Sequence, residues 1–135
     1  DSYLSTLRSR ILAVDTEGLP PEDRLRRVIR EVLRAYQGAD HEHQVQISAL
    51  SALPEDQQDQ MRTYQRDMVK LMGDCLRKAA PEVFEGNPDK LRGATMSVYG
   101  MLNWYFMWNS GAGAQERDDY ADLVCDLTLK GLGGI

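Results

Sequence analysis

The fold turns on the stretch Met96-Ser97-Val98-Tyr99-Gly100-Met101-Leu102-Asn103-Trp104-Tyr105-Phe106-Met107-Trp108. Nearly every residue in it is apolar or aromatic. It continues a helix that starts at about Pro88, with Asn87 as the N-cap and the proline in the first turn, where its missing N–H would have no partner anyway. Ser110-Gly111-Ala112-Gly113-Ala114 ends the helix as a loop. A helix that is apolar on every side has to be covered on every side. That demand exceeds what one small chain easily supplies, so the stretch points to a second copy or a guest molecule.

Working outward, the other periodic stretches also have helical spacing, with no sustained alternation and no Asn-Gly hairpin signal. The clearest runs from about Pro21 to Gln37. Leu25, Val28, Ile29, Val32, Leu33 and Tyr36 make its apolar row, and Arg26, Arg27, Arg30 and Arg34 cover the other side. Glu22 and Asp23 sit at the positive end of the helix dipole and are spaced to pair with Arg26 and Arg27. Gly38 is the expected C-terminal stop.

Ahead of this helix, Leu4, Leu7, Ile11 and Val14 form one stripe over about Ser2 to Val14. After it comes a short, weakly patterned segment from about Asp40 to Leu50, with Val45, Ile47, Ala49 and Leu50 apolar. Leu53-Pro54 breaks the chain. A long helix from Glu55 to Ala80 then carries Met61, Tyr64, Met68, Leu71, Met72, Cys75, Leu76 and Ala79, and Pro81 stops it. The last helix, about Gln115 to Leu132, sets Tyr120, Leu123, Val124 and Leu127 on one face. Six helices with short loops and no internal repeat predict an all-α bundle in one domain over residues 1–135.

Composition narrows the function. The chain has 135 residues, 42% hydrophobic and 27% charged, which suits an ordinary globular domain. Its formal net charge of −5 repels a phosphate backbone, so these residues alone should not hold nucleic acid. No stretch reaches the roughly 18 apolar residues of a membrane span, and no signal peptide opens the chain. Cys75 and Cys125 lie far apart without ligand spacing and read as reduced core thiols of a cytoplasmic protein. No phosphate-binding loop, nucleophile elbow, zinc motif or dinucleotide fingerprint occurs, so no cofactor and no catalytic residue are expected. A start without Met, close to an amphipathic run, reads as a piece of a longer polypeptide.

Several constellations invite a functional reading. Gly93, Ser97, Gly100 and Trp104 share one helical face, where small residues allow close approach and the tryptophan is an anchor. They predict a dimer seam, to which Leu123 and Leu127 of the last helix are added; packing within the chain is the alternative. Met68, Met72 and Met96 suit an adaptable pocket but equally a core. Tyr64, Tyr99 and Asn103 put polar tips on apolar faces, and each tip needs a partner, either a ligand or another side chain. His41 and His43 point to different sides of a helix, which disfavours a metal. The pair reads as solvated, with a lesser reading that puts His43 at a pocket mouth. The arginines form either a solvated face or a set of phosphate contacts, with Arg30 and Arg34 foremost and Arg26, Arg62, Arg66 and Arg92 also eligible.

Gly100-Met101-Leu102-Asn103-Trp104 with Trp108 resembles the GMLNW signature in the eighth helix of a subgroup of TetR/AcrR transcriptional regulators. Tyr120-Ala121-Asp122-Leu123 through Leu129-Lys130-Gly131-Leu132 resembles their last helix. The order of long and short helices is also similar to their regulatory domain, so the likeness spans nearly the whole chain. The departure comes after Trp104, where Tyr105-Phe106-Met107-Trp108-Asn109 replaces the Thr-Tyr and Trp-Tyr-Arg-Pro segments common in that subgroup.

The resemblance implies a six-helix TetR-type regulatory domain in a cytoplasmic homodimer whose last two helices pair with their mates. It implies an N-terminal helix-turn-helix of about three helices outside this chain, through which alone DNA is bound. Relatives with this signature include repressors of fatty-acid, steroid-ring and phenylacetate breakdown, and several are released by a coenzyme A thioester. The expected effector is therefore a small hydrophobic molecule, an aromatic or short acyl-coenzyme A thioester first. A ligand-free oligomerisation bundle and, further off, a small helical enzyme are the alternatives.

Overall fold

Leu25, Val28, Ile29, Val32, Leu33 and Tyr36 form the central row of the molecule. They lie on α2 (Pro21–Tyr36), and all six are buried. Each such side chain taken fully out of water contributes about 1.5–3 kcal/mol of transfer free energy. The structure is a computed structural model and describes residues 2–49, 52 and 54–135. The side chains of 2, 46–49 and 61 fall outside that description, so the expectations for Ile47, Ala49 and Met61 are not addressed by it, nor are those for Leu50 and Leu53.

Three helices close on α2. On α1 (Ser2–Leu12) the buried row is Leu4, Leu7 and Ile11. On α4 (Glu55–Ala79) it is Met68, Met72, Cys75 and Leu76, and on α7 (Ala114–Lys130) it is Ala121, Val124 and Cys125. These side chains and the α2 row belong to one core. Pro21 opens α2 with Glu22 and Asp23 in its first turn. The chain leaves α2 through Gly38, whose φ of +78° lies in the left-handed region that favours glycine.

The polar side of α2 is organised too. Arg26 reaches Asp126 at 2.7 Å and Asp122 at 3.3 Å. Arg30 holds Asp122 through two hydrogen bonds of 3.0 and 2.8 Å, and Arg34 holds Asp118 in the same two-pronged way. The pairing order means that α7 runs antiparallel to α2. Arg27 donates to the Asp15 carbonyl. The pairs anticipated with Glu22 and Asp23 inside the helix are thus replaced by contacts across the bundle.

Seven α-helices occur among the described residues, one more than the periodicity suggests. The addition is the single turn α5 (Pro81–Phe84). Pro81 does stop α4, as expected, but its fixed φ also starts a new turn. Asn87 occupies the N-cap of α6 (Pro88–Trp108) without a side-chain capping bond. At the other end, a 3-10 turn at Leu132–Gly134 follows α7.

α6 is covered on one side only. Thr95, Val98, Tyr99, Leu102 and Tyr105 are buried, whereas Trp104 and Trp108 remain 58% and 59% exposed. Met96 and Met107 are exposed as well.

α3 (Asp40–Ala49) is attached through its first turn. Asp40 accepts from the Gly111 N–H at 2.8 Å and lies 3.6 Å from the guanidinium of Arg117. Arg117 is 1% exposed. It donates to the carbonyls of Ala112 (2.9 Å) and Leu33 (3.2 Å) and lies over the Tyr105 ring. One buried charge thereby joins α2, α3, α6 and the loop before α7.

Candidate functional site

The first turns of α1 and α3, the middle of α4 and the middle of α6 fail to meet completely. The gap is a partly enclosed cavity of about 300 Å³. α1 contributes Tyr3, Leu4 and Leu7, α2 contributes Tyr36, and α3 contributes His43. α4 adds Gln65, Met68 and Val69, and α6 adds Met96, Tyr99 and Asn103. The walls are mainly apolar with a few polar tips, the usual make-up of a small-molecule site.

Those polar tips are mutually ordered. Tyr36 donates to Asn103 Oδ1 at 2.7 Å, and Tyr99 donates to the Met68 carbonyl at 2.8 Å. His43 Nε2 meets the Asn103 carbonyl at 3.1 Å and therefore carries the proton, because a carbonyl only accepts. The His43 ring packs 4.5 Å from Tyr36 and edge-on to Phe106 at 5.1 Å.

The electrostatics keep these groups neutral. Burial lowers the pKa of His43 below the ordinary imidazole value. Burial, with Glu42 and Asp40 nearby, pushes the Tyr3 phenol up to about 12. The phenols of Tyr36 and Tyr99 are raised chiefly by burial as well. Among the described residues no Asp, Glu, Lys or Arg lines the cavity.

Five of the residues singled out from the sequence come together here: His43, Met68, Met96, Tyr99 and Asn103. His43 is buried, which corrects the solvated reading of that residue. Tyr64 does not join them. Its hydroxyl accepts from Gln60 at 3.0 Å, and the Arg8 guanidinium lies over its ring at 5.9 Å. Met72 is fully buried in the core behind the cavity wall. Arg30 and Arg34 are also elsewhere, and their guanidiniums are engaged by Asp122 and Asp118. Both side chains remain partly exposed on the α2–α7 face and do not line the cavity. Of the other eligible arginines, Arg62 bonds Asp59 and Gln58 on its own helix.

Tyr3, Tyr36 and Gln65 are cavity groups that the sequence reading leaves out of the site. Tyr36 ends the α2 apolar row with a hydroxyl, the same signal by which Tyr99 was singled out.

A larger depression of about 800 Å³ follows the outside of α4, with Arg92 on its rim. It is an open furrow, and its walls hold the ion pairs Arg8–Asp67 and Arg77–Asp74 at 2.7 Å each. The enclosed cavity is the better site, since a guest there leaves water.

The expected seam residues form a surface. Gly93, Ser97, Gly100 and Trp104 are all exposed on α6. A Cβ added at Gly93 or Gly100 would meet nothing within 4 Å. On α7, Leu123 is 44% exposed and Leu127 is half-buried. Among the described residues no three His, Cys, Asp or Glu side chains gather as a metal site, and no helix is long and apolar enough to cross a membrane.

An all-helical bundle with an interior cavity and an uncovered aromatic helix defines the class. The chain belongs to the family described as tetracyclin repressor-like, C-terminal domain, which it matches over residues 18–132. It is thus a C-terminal domain of the TetR type of transcriptional regulator. Its fold is similar to the crystal structure of a TetR-family transcriptional regulator from Bordetella parapertussis 12822, with 26% identity and a TM-score of 0.84 over 99% of this chain and 69% of that one. It also resembles the TetR-family transcriptional regulator PfmR from Thermus thermophilus at a TM-score of 0.77, over 97% of this chain and 71% of that one. At 20% identity the second likeness is one of fold. No curated protein matches the chain in sequence.

Proposed function

We propose that this domain senses a small hydrophobic effector and holds two subunits together in a cytoplasmic repressor whose DNA-binding head lies outside the chain. The observation that carries this reading is the partly enclosed cavity of about 300 Å³ at the junction of α1, α2, α3, α4 and α6. A guest there touches α1 and α3, and its binding energy favours whichever arrangement of them it fits best. Only a guest that prefers the released arrangement lowers affinity for an operator. The cavity also argues against a ligand-free oligomerisation bundle.

For the second role, the exposed Gly93, Ser97, Gly100 and Trp104 face of α6, together with Leu123 and Leu127 of α7, suits a two-fold contact with its own copy. The first effectors to try are aromatic and short acyl-coenzyme A thioesters. A cavity of this size takes the acyl end and leaves the phosphates outside.

Calorimetric titration with phenylacetyl-, benzoyl- and fatty-acyl-coenzyme A tests the effector assignment. Saturable heat and a raised Tm with at least one are expected. Neither heat nor a thermal shift with any of them removes the thioester assignment. Light scattering at micromolar concentration tests the dimer, and a monomer there removes it.

A further inference from the structure

We infer that the part of the effector held in this cavity is uncharged and presents an acceptor oxygen to the amide nitrogen of Asn103. The inference rests on the cavity's being the effector site, and it names the chemistry that the site selects.

Most donors and acceptors on the cavity wall are already committed. Tyr36 and Tyr99 spend their hydroxyl protons on Asn103 Oδ1 and the Met68 carbonyl. Toward the cavity their oxygens can offer only lone pairs. His43 spends its Nε2 proton on the Asn103 carbonyl. Asn103 is held from two sides, at Oδ1 and at its own carbonyl, and its Nδ2 has no partner among the described residues. That amide is a donor on the cavity wall that no described bond engages; Gln65 at the rim and the Tyr3 hydroxyl are the other donor-bearing groups of the lining.

An anion entering here would meet phenol lone pairs and, among the described lining residues, no lysine or arginine. The Asn103 amide would replace only a small part of its lost hydration, with no opposite charge to offset the rest, and burying a charge in that way is costly. A cation would touch no carboxylate among the described lining residues, with Asp40 and Glu42 set behind Tyr3, and the Asn103 N–H groups would turn their positive ends toward it. A carbonyl or ether oxygen on an apolar skeleton accepts from Asn103 and leaves every other bond intact. The size agrees: about twice the 150 Å³ known to hold one benzene ring is room for a ring with a short substituent. A free carboxylic acid is accordingly refused where its ketone, amide, ester or thioester is accepted.

Four compounds of one skeleton test this on the unmodified protein by calorimetry and thermal shift: acetophenone, ethylbenzene, benzoate and benzylammonium. Acetophenone is expected to bind at least tenfold more tightly than the other three. In Asn103→Asp, which keeps Oδ1 for Tyr36 and replaces the amide nitrogen by oxygen, that advantage should vanish. Benzoate or benzylammonium binding within threefold of acetophenone overturns the inference and leaves the effector site standing. Ethylbenzene equal to acetophenone overturns the role of Asn103 as donor. No binding by any of the four, nor by the thioesters named above, overturns the effector site and the inference together.

Discussion

Tyr36 and Asn103 join α2 to α6 across the cavity by a hydrogen bond of 2.7 Å from the phenol to the amide oxygen. The tyrosine is buried, so Tyr36→Phe strands an acceptor as well as removing a bond. The expected loss is about 1–3 kcal/mol in urea unfolding. Phe at position 36 with Leu at position 103 should recover part of it, because both partners are then apolar. A single variant as stable as the parent would show that water replaces the hydroxyl without cost.

Arg117 should be the most sensitive charged position. Replacing it by Met leaves the Leu33 and Ala112 carbonyls without their charged donor. Each such bond is worth about 1.5–3 kcal/mol, so a loss of roughly 3 kcal/mol or more is expected. Arg117→Lys should recover little, since one ammonium cannot replace the planar fork that serves both carbonyls. Chemical denaturation of the three proteins checks the order.

The pairs between α2 and α7 are half-exposed and should act weakly one by one. Asp122→Asn, which weakens contacts with both Arg26 and Arg30, is expected to cost about 1 kcal/mol or less. At 1 M salt the screening length falls to about 3 Å, and the difference from the parent should shrink. The hydrogen bonds from Arg34 and Arg26 hold Asp118 and Asp126 below the usual carboxylate range. Their contribution is present above the unfolded-state value and is lost as pH falls below it. In an acid titration of stability, Asp118→Asn should therefore be less stable than the parent above about pH 4, and the gap should close as pH falls below it.

His43 gives a second, milder pH response. Its folded-state pKa is depressed, so the unfolded chain binds the proton better. Stability is full above about pH 6.5 and declines as pH falls toward the lower folded value. The urea midpoint of the parent should drop between pH 7.5 and 5.5, and His43→Gln should drop less. His41→Gln, at an exposed site, should follow the parent. Equal slopes in all three would remove His43 as the cause.

Trp104→Glu places a charge in the middle of the exposed α6 face. Sedimentation should give a monomer with an unchanged helical circular dichroism spectrum, since Trp104 is mostly exposed within one chain. A dimer that survives this change is held by another surface.

The regular period of the apolar residues made most of the bundle legible in the sequence. The α2 row and the α1 stripe from Leu4 to Ile11 lie where their spacing puts them, because period 3.6 reports directly on one buried face. What stayed hidden depends on distant partners. Arg26, Arg30 and Arg34 read as a free basic face until Asp118, Asp122 and Asp126 are set beside them. Arg117 carries no local sign of burial, since its main acceptors are backbone carbonyls that no side-chain pattern reveals.

The site was half legible for the same reason. Polar tips on apolar faces flagged Tyr99 and Asn103, and both line the cavity. Tyr64 carried the same flag, but its hydroxyl turns to Gln60 on its own helix. Met72 lies too deep. α5 was missed because a single proline served as both stop and start.

The three arginines and three aspartates that face one another repeat every four residues on both helices. They work like a rack whose teeth are all alike, and Arg26 already rests on two teeth at once. Moving α7 along α2 by one turn, about 5.4 Å, would engage a new set of nearly equal pairs. The teeth alone therefore leave the setting ambiguous. The unlike features elsewhere, the Ala121, Val124 and Cys125 row and the buried Arg117 peg, single out one notch.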